Sequence, residues 1–297
     1  MLTLVSALYF LPTVIGLAST TSSGNFDVLT YNIAGLPAII ENNGIPGDKA
    51  TNTKTIGSLF TKYNYSIIHV QEDFAYNTEL YQADRHPYRT RTSGNVPFGS
   101  GLNTLANYKN IRFQRVTWDK CFINEGDCLT PKGFTFMRAA IQGVEIDLYN
   151  LHADAGDLVG DDDARSASIN QMLAFINKTS VNRPTIIAGD INDRWSNPGR
   201  SINRLIDAGF TDAWINLIKR GAYPKVTPGP GRSFICLVPA PDNECEIVDK
   251  VFYRSGVNVS LAATTFNYVP KLFVQKDGNR LSDHNPVHVT FKWTYQN

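Results

Sequence analysis

The apolar positions of this chain switch between the two-residue period of strands and the longer period of helices. Phe26 to Ile33 reads as a strand. Ile56, Leu59, Phe60 and Tyr63 then recur at helical spacing, so Asn52 to Lys62 is predicted as a helix with one buried face. Ser66 to Gln71 is a short continuous apolar run, as in a strand covered on both faces. Gly101 to Tyr108, Arg112 to Trp118 and Gly133 to Ile141 follow as strands. In the next, Val144, Ile146 and Leu148 alternate with Glu145, Asp147 and Tyr149. His152 has the parity of that apolar set, which points it inward at the strand's end. Asp161, Asp162 and Asp163 open a long helix whose stripe is Ile169, Met172, Leu173 and Ile176, and they are expected to cap it and complement its dipole. Pro184 to Ala188 is a buried strand; Ser201 to Ala208 and Asp212 to Lys219 are short helices. The Pro- and Gly-rich stretch from Gly221 to Asp242 is a surface excursion. Ile247 to Tyr253, Asn258 to Phe266 and Pro286 to Trp293 complete the strands.

Many strands with interspersed helices predict two sheets packed face to face with helices outside. The length of 297 residues and a hydrophobic content of 42% permit a sizeable core, and no compositional break divides the chain. Residues 19–297 are therefore expected to form one domain. Ahead of them, Leu2 to Leu17 lacks any charged side chain, is interrupted by Pro12 and ends on Gly16-Leu17-Ala18, so residues 1–18 read as a signal peptide rather than an anchor. A secreted, extracellular protein is expected. Cys121, Cys128, Cys236 and Cys245 agree with that compartment. Four cysteines allow three pairings. The local pairs, Cys121–Cys128 and Cys236–Cys245, are favoured because each closes a short loop rich in Gly, Pro, Asn or Asp. Asn64, Asn177 and Asn258 head glycosylation sequons, with Asn64 expected to be the least accessible because it adjoins a buried strand. The formal charge of +1 gives no global field to gather nucleic acid or anionic membrane.

The chemistry lies at strand ends. Asn32, Glu72, His152 and Asp190 each follow an apolar run, and Ser282-Asp283-His284-Asn285-Pro286 precedes one. Hydrolysis of a phosphodiester needs a cation on the phosphate, a base for water and charge relief at the leaving oxygen. Magnesium favours one or two carboxylates with retained waters, a role suited to Glu72 and Asp283, with Asn32 touching a metal-bound water. Manganese and calcium are the alternative ions. Asp190 could orient or deprotonate the attacking water, Asn192 could hold the phosphate, and His152 and His284 could donate to its oxygens. Asp249 shares a strand face with Ile247 and Val251, where a carboxylate is costly unless paired. An imidazole is the natural partner, and His284 is nominated; an ion pair with a neighbouring Arg or Lys is the alternative.

Together these residues resemble the endonuclease/exonuclease/phosphatase superfamily, the DNase I-like fold, from Asn32 to Phe291. The resemblance implies an α/β (α+β) four-layer α/β/β/α sandwich and a magnesium-dependent phosphoesterase. It implies Glu72 as principal metal ligand with Asn32 and Asp283 nearby, Asp190 and Asn192 handling water and phosphate, an Asp249–His284 dyad, and His152 on the phosphate. Gln71-Glu72-Asp73-Phe74, Lys132-Gly133-Phe134 and Leu151-His152-Ala153-Asp154 are most similar to secreted sphingomyelinase C enzymes. Val248-Asp249-Lys250-Val251 departs from their usual Asp-Tyr pairing, and no counterpart of their exposed aromatic hairpin is present. The expected partner is a phosphodiester, a phospholipid or membrane surface ahead of nucleic acid; no protein partner is inferred, and a monomer is expected. The alternatives are a DNase I-like endonuclease, an inositol-phosphate phosphatase and an inactive binding module. Arg89, Arg91, Arg194 and Arg232 are available to a nucleic acid, and Trp195 could stack on a base, enter a bilayer or sit in the core.

Overall fold

Strand parity decides how the layers stack in this structure, a computed structural model describing residues 21–226 and 235–296. Along β1 (Thr21–Asn32), Leu29 and Tyr31 join a cluster with Ile56 and Phe60 of α1 (Lys49–Tyr63). Val28 belongs to the other cluster, which fills the space between two sheets and extends beneath α3 (Val159–Thr179). β2 (Ile67–Gln71) divides the same way: Ile68 and Val70 face α1, whereas Ile67 faces the second sheet. On the far side, Phe134, Phe136 and Tyr149 meet Phe175 of α3. The layers therefore run helix, sheet, sheet, helix, as the sequence predicts.

The remaining elements are α2 (Asn77–Ala83), β3 (Tyr88–Arg89), β4 (Asn103–Ala106), β5 (Asn110–Thr117), β6 (Gly133–Ile141), β7 (Val144–His152), β8 (Thr185–Asp190), α4 (Asn203–Asp207), β9 (Thr211–Asp212), α5 (Ala213–Leu217), β10 (Asp249–Arg254), β11 (Val259–Tyr268) and β12 (Val287–Gln296). The first sheet has the order β11-β12-β1-β2-β4-β3 and the second β5-β6-β7-β8-β10-β9. Each is antiparallel except at one internal pair, β1 with β2 and β7 with β8. In those parallel pairs Asn32 lies opposite Gln71 and His152 opposite Asp190. Four strand ends thus open on one edge. β10 and β12 run antiparallel to β8 and β1, so their starts, with Asp249 and the His284 loop, reach the same edge.

Polar side chains stitch the two sheets beneath that edge. Gln71 donates to Asn150 Oδ1 at 2.7 Å and to Thr30 Oγ1 at 3.0 Å, and Asn150 donates to the Val70 and Asn103 carbonyls at 3.0 Å. Leaving one such buried group unpaired would cost about 1–3 kcal/mol, so the seam fixes how the sheets sit.

The α3 aspartates behave as expected. Asp161 Oδ2 accepts from the Leu158 amide at 2.8 Å, and the helix begins at Val159. Both disulfides join the local pairs, Cys121–Cys128 and Cys236–Cys245. Asn64 is exposed: it ends α1 in the left-handed conformation (φ 52°) and accepts from Asn107. Asn177 and Asn258 are exposed as well. Trp195 is core, its indole donating to Asp212 at 2.7 Å. The proposed leader and Arg232 lie outside the described residues, as does part of the Gly221–Asp242 excursion. Among the described residues no helix is long and apolar enough to cross a membrane.

Candidate active site

A carboxylate gathers the site. Asp190 Oδ2, at the end of β8, accepts from Asn32 Nδ2 at 3.1 Å and lies 3.5 Å from His152 Nε2 and 3.7 Å from His284 Nε2. The other imidazole nitrogen of His284 is 2.9 Å from Asp249 Oδ2. One ring therefore bridges two carboxylates from neighbouring strands. Burial alone would lower the His284 pKa, but Asp249 and Asp190 override it and hold the ring well above the usual histidine range. His152 has no such support: burial, then the positive charge of Lys132 and His284, pushes it well below that range. The two imidazoles flanking Asp190 are thus shifted in opposite directions. Asp190 is held above the usual carboxylate range by burial, assisted by the charge of Asp249.

Glu72 is placed by unusual backbone. It follows β2 in the left-handed region at φ 56°. Gly35 makes this possible, since a β-carbon there would lie 2.2 Å from the Glu72 carbonyl oxygen. Glu72 Oε1 accepts from Asn32 Nδ2 at 2.9 Å, whereas Oε2 is buried without a hydrogen-bond partner. Burial raises the Glu72 pKa. Asp73, Asp154, Asp161 and Asp249 each have one unpartnered buried oxygen too, and a desolvated carboxylate of this kind favours a nearby cation. Asp283 is half-buried on the same side, its Oδ2 accepting from Asn43 at 2.7 Å.

Asn32 spans the two carboxylates through its amide nitrogen, while its oxygen accepts from the Ala34 amide at 3.0 Å. Asn192 also adopts a left-handed backbone (φ 53°), and its side chain donates to the Ala153 carbonyl at 3.0 Å beside His152. Asn192, Asp249, Asp283 and His284 line a cavity of about 290 Å³ together with Asp157, Arg194 and Asn285. Among the described residues, Asp190, Asp249 and His284 also turn ligand-type atoms to within 4.8 Å of one another. Short internal contacts satisfy both oxygens of Asp190, whereas Asp249 Oδ1 is buried without a partner, as Glu72 Oε2 is.

All eight nominated site residues stand at one edge of the sandwich. Sequence reasoning missed three neighbours. Lys132 contacts Asp127, lies 3.4 Å from the Ala153 carbonyl and bears electrostatically on His152, Glu72 and Asp190. Its only sequence signal was the Lys132-Gly133-Phe134 resemblance. Lys49 and Asn43, which hold the loop over Asp283, gave none. Lys250, flagged as a departure, points away from the site: it is buried against Glu246 at 3.0 Å and over the Trp214 ring. Of the described arginines, only Arg194 lines the cavity beside Asp249 and His284; Arg89 and Arg91 line a separate one.

The profile of endonuclease/exonuclease/phosphatase family 2 matches residues 46–227. A sphingomyelinase of Mycobacterium tuberculosis (strain ATCC 25618 / H37Rv) is 37% identical over 287 residues, covering 93% of this chain and 54% of that protein. The chain thus spans about half the length of the curated relatives it matches. Among solved structures, sphingomyelinase C from Streptomyces griseocarneus superposes with a TM-score of 0.62 at 19% identity, over 90% of this chain and 99% of that one. Zebrafish (D. rerio) TDP2 complexed with a single-strand DNA product gives 0.67 at 14% identity, over 90% and 98%. A Staphylococcus aureus beta toxin variant with bound magnesium ions gives 0.60 at 15%, over 90% and 99%. At these identities the superpositions speak to the fold.

Proposed function

Because the chain belongs to endonuclease/exonuclease/phosphatase family 2, we propose that it is a secreted, magnesium-dependent phosphodiesterase whose substrate is a sphingomyelinase-type phospholipid headgroup. The observation that carries the chemistry is the convergence on Asp190 Oδ2 of Asn32, His152 and His284 within 3.1–3.7 Å, beside the orphaned Oε2 of Glu72.

Glu72 and Asp283 are the residues that would hold the divalent ion, their hard oxygens fitting magnesium. When bound, that ion supplies charge neutralisation on the phosphate and at the departing oxygen. The remaining roles belong to the chain. Asp190, its basicity raised by burial, orients a water and takes its proton as the water oxygen bonds to phosphorus and the ester oxygen leaves. His284, held charged by Asp249, donates through Nε2 to the phosphoryl oxygens as negative charge builds there. Neutral His152 and the amide of Asn192 grip the same group from the β7 side, and Lys132 adds positive potential behind them.

A lipid surface is favoured by what surrounds the mouth. Ile39 is 96% exposed, Phe98 83%, Val159 79% and Leu237 76%. Ile39 lies in the loop bonded to Asp283 through Asn43. Phe98 lines a cavity with Lys132, Leu237 follows Cys236 of the catalytic cavity, and Val159 lies two residues beyond Asp157 of that cavity. Isolated exposed apolar side chains mean little, but a ring of them around a polar site marks an apolar partner. The loops 36–48, 93–99, 119–129, 155–159 and 236–245 hold Lys120 as their only base against Glu41, Asp48, Asp119, Glu125, Asp127, Asp157, Asp242 and Glu244. That balance opposes a polyanion such as DNA.

The deciding experiment offers purified protein sphingomyelin, phosphatidylcholine, plasmid DNA, RNA and an inositol phosphate, each with magnesium and with chelator. Sphingomyelin cleavage that chelator abolishes is expected. Cleavage of DNA alone would move the protein to the endonuclease reading, and no cleavage at all would sink the catalytic one.

A further inference from the structure

Lys49 is nearly fully buried, yet it begins α1, where a lysine ordinarily reaches solvent. Its ammonium donates to the Leu36 carbonyl at 3.0 Å, the Glu41 carbonyl at 2.6 Å and Asn43 Oδ1 at 2.7 Å. All three acceptors lie on the loop that leaves β1 after Asn32 and returns over the mouth of the site. A buried ammonium is expensive, and its three donors are fully used, so this loop is built around it. Burial pulls its pKa below the usual lysine range, and the charges of Glu72, Asp283 and Glu41 only partly offset that.

The contact with Asn43 has a directional consequence. With Oδ1 committed to Lys49, the Asn43 amide must present its NH₂ on the opposite side, and that group donates to Asp283 Oδ2 at 2.7 Å. The amide cannot flip without setting its own NH₂ against an ammonium. Asn43 sits at φ 58°, a conformation asparagine tolerates better than most side chains. Asp283 has little else to orient it: Ser282 Oγ is 3.4 Å from Oδ1 and is already committed to the Asn32 carbonyl at 2.6 Å. Arg280 ties the same loop down through the carbonyls of Asn43 (3.3 Å) and Gly44 (3.1 Å).

We infer that Lys49 and Asn43 are positioning residues that aim Asp283 at the metal, a relay running from the first turn of α1 through the Leu36–Asn43 loop. The relay rests on the reading of Asp283 as a metal ligand. It assigns the loop a part in ion affinity, separate from the proton transfer carried by Asp190, Asp249 and His284. Outer partners of a ligand that fix its orientation typically change metal affinity by roughly 10–100-fold when lost.

The test is calorimetric titration of Mg²⁺ into the full-length chain and its variants, without substrate. Asn43→Gly removes the amide while suiting the left-handed backbone; Lys49→Met removes the ammonium and keeps the apolar stem. Asp283→Asn is the reference. Asp283→Asn and Asn43→Gly should each weaken Mg²⁺, the latter about tenfold. Asn43→Gly added to Asp283→Asn should weaken it no further. Lys49→Met should act in the same direction as Asn43→Gly and not add to it. Turnover of Asn43→Gly should recover at saturating Mg²⁺, which a damaged fold would not allow. If Asp283→Asn binds Mg²⁺ normally, the ligand assignment itself is wrong. If Asp283→Asn is impaired while Asn43→Gly binds normally, the relay alone is refuted. Tighter binding by Lys49→Met would mean that its charge, and not its hydrogen bond to Asn43, is what the site feels, and would overturn its place in the relay.

Discussion

Replacing Asp249 by Asn tests the proton machinery most sharply, because the change keeps shape and removes charge. Asp249 Oδ2 lies 2.9 Å from His284 Nδ1, and the pair is nearly dry on the Asp249 side. With the charge centres about 4 Å apart and an effective dielectric near 20, the attraction is on the order of 4 kcal/mol. The ring needs that attraction most when its Nε2 faces a phosphoryl group gaining negative charge, so its loss falls mainly on the transition state. At 1.36 kcal/mol per factor of ten, kcat should drop roughly 10³-fold. An asparagine that turned its NH₂ toward Nδ1 would also enforce the wrong tautomer, which deepens the defect. The assay is turnover of a water-soluble chromogenic phosphodiester at saturating Mg²⁺, so that neither membrane contact nor metal affinity enters. Urea unfolding of the variant checks that the fold survives. A kcat within tenfold of the parent, with the fold intact, would refute the role given to the dyad.

Two further outcomes concern the scaffold. His69 is buried between the sheets, with Nδ1 3.2 Å from the Ala188 carbonyl and Nε2 unpartnered, and burial lowers its pKa from 6.5 to about 4. A histidine with a depressed folded pKa contributes stability that is fully present above about pH 6.5 and lost as pH falls toward 4, about 3 kcal/mol in all. The stability difference between the parent and His69→Leu, measured by urea unfolding at pH 7, 6, 5 and 4, should shift by that amount in favour of the variant; a pH-independent difference would contradict it. Gly35→Ala would set a β-carbon 2.2 Å from the Glu72 carbonyl oxygen. It should cost about 1–3 kcal/mol in thermal or urea unfolding and weaken Mg²⁺ binding in calorimetry, because the backbone that must give carries Glu72, the proposed metal ligand. Unchanged Mg²⁺ affinity would mean that the loop absorbs the clash elsewhere.

The legible parts of this protein were those written in local periodicity. Asn32, Glu72, His152 and Asp190 each follow an apolar run, and strand ends on parallel neighbours share an edge, so their meeting could be anticipated from spacing and resemblance together. Asp249 could be singled out because a carboxylate on an apolar face demands a partner, and His284 is in contact with it. Long-range burial was not legible. Lys49 reads as an ordinary solvated helix start, and only the loop folding back over it makes it a buried hub. Trp195 was ambiguous because its acceptor, Asp212, lies 17 residues on at the start of α5, and local periodicity does not reveal that the two meet. Proximity to β2 in sequence does not bury Asn64, which forms the C-cap of α1 and is exposed. α2 has seven residues, too few for a stripe to repeat.

The division of the site between the sheets explains why so much polar chemistry is buried beneath it. The first sheet and its connections carry Asn32, Glu72 and Asp283; the second carries His152, Asp190 and Asp249. His284 belongs by sequence to the first sheet, on the approach to β12, yet its hydrogen bond is to Asp249 on the second. Asn32 bridges the other way, from β1 to Asp190. Sliding one sheet past the other by an ångström would break both contacts, and a misplacement of that size can cost about 10²-fold in rate. An interface made only of aliphatic side chains resists such sliding weakly, because dispersion is not directional. The Thr30–Gln71–Asn150 seam is directional, and it stands directly below the residues it must keep in register. The polar groups at the centre of this core therefore stabilise one arrangement of the two sheets over its neighbours, and that arrangement is the one in which the site is complete.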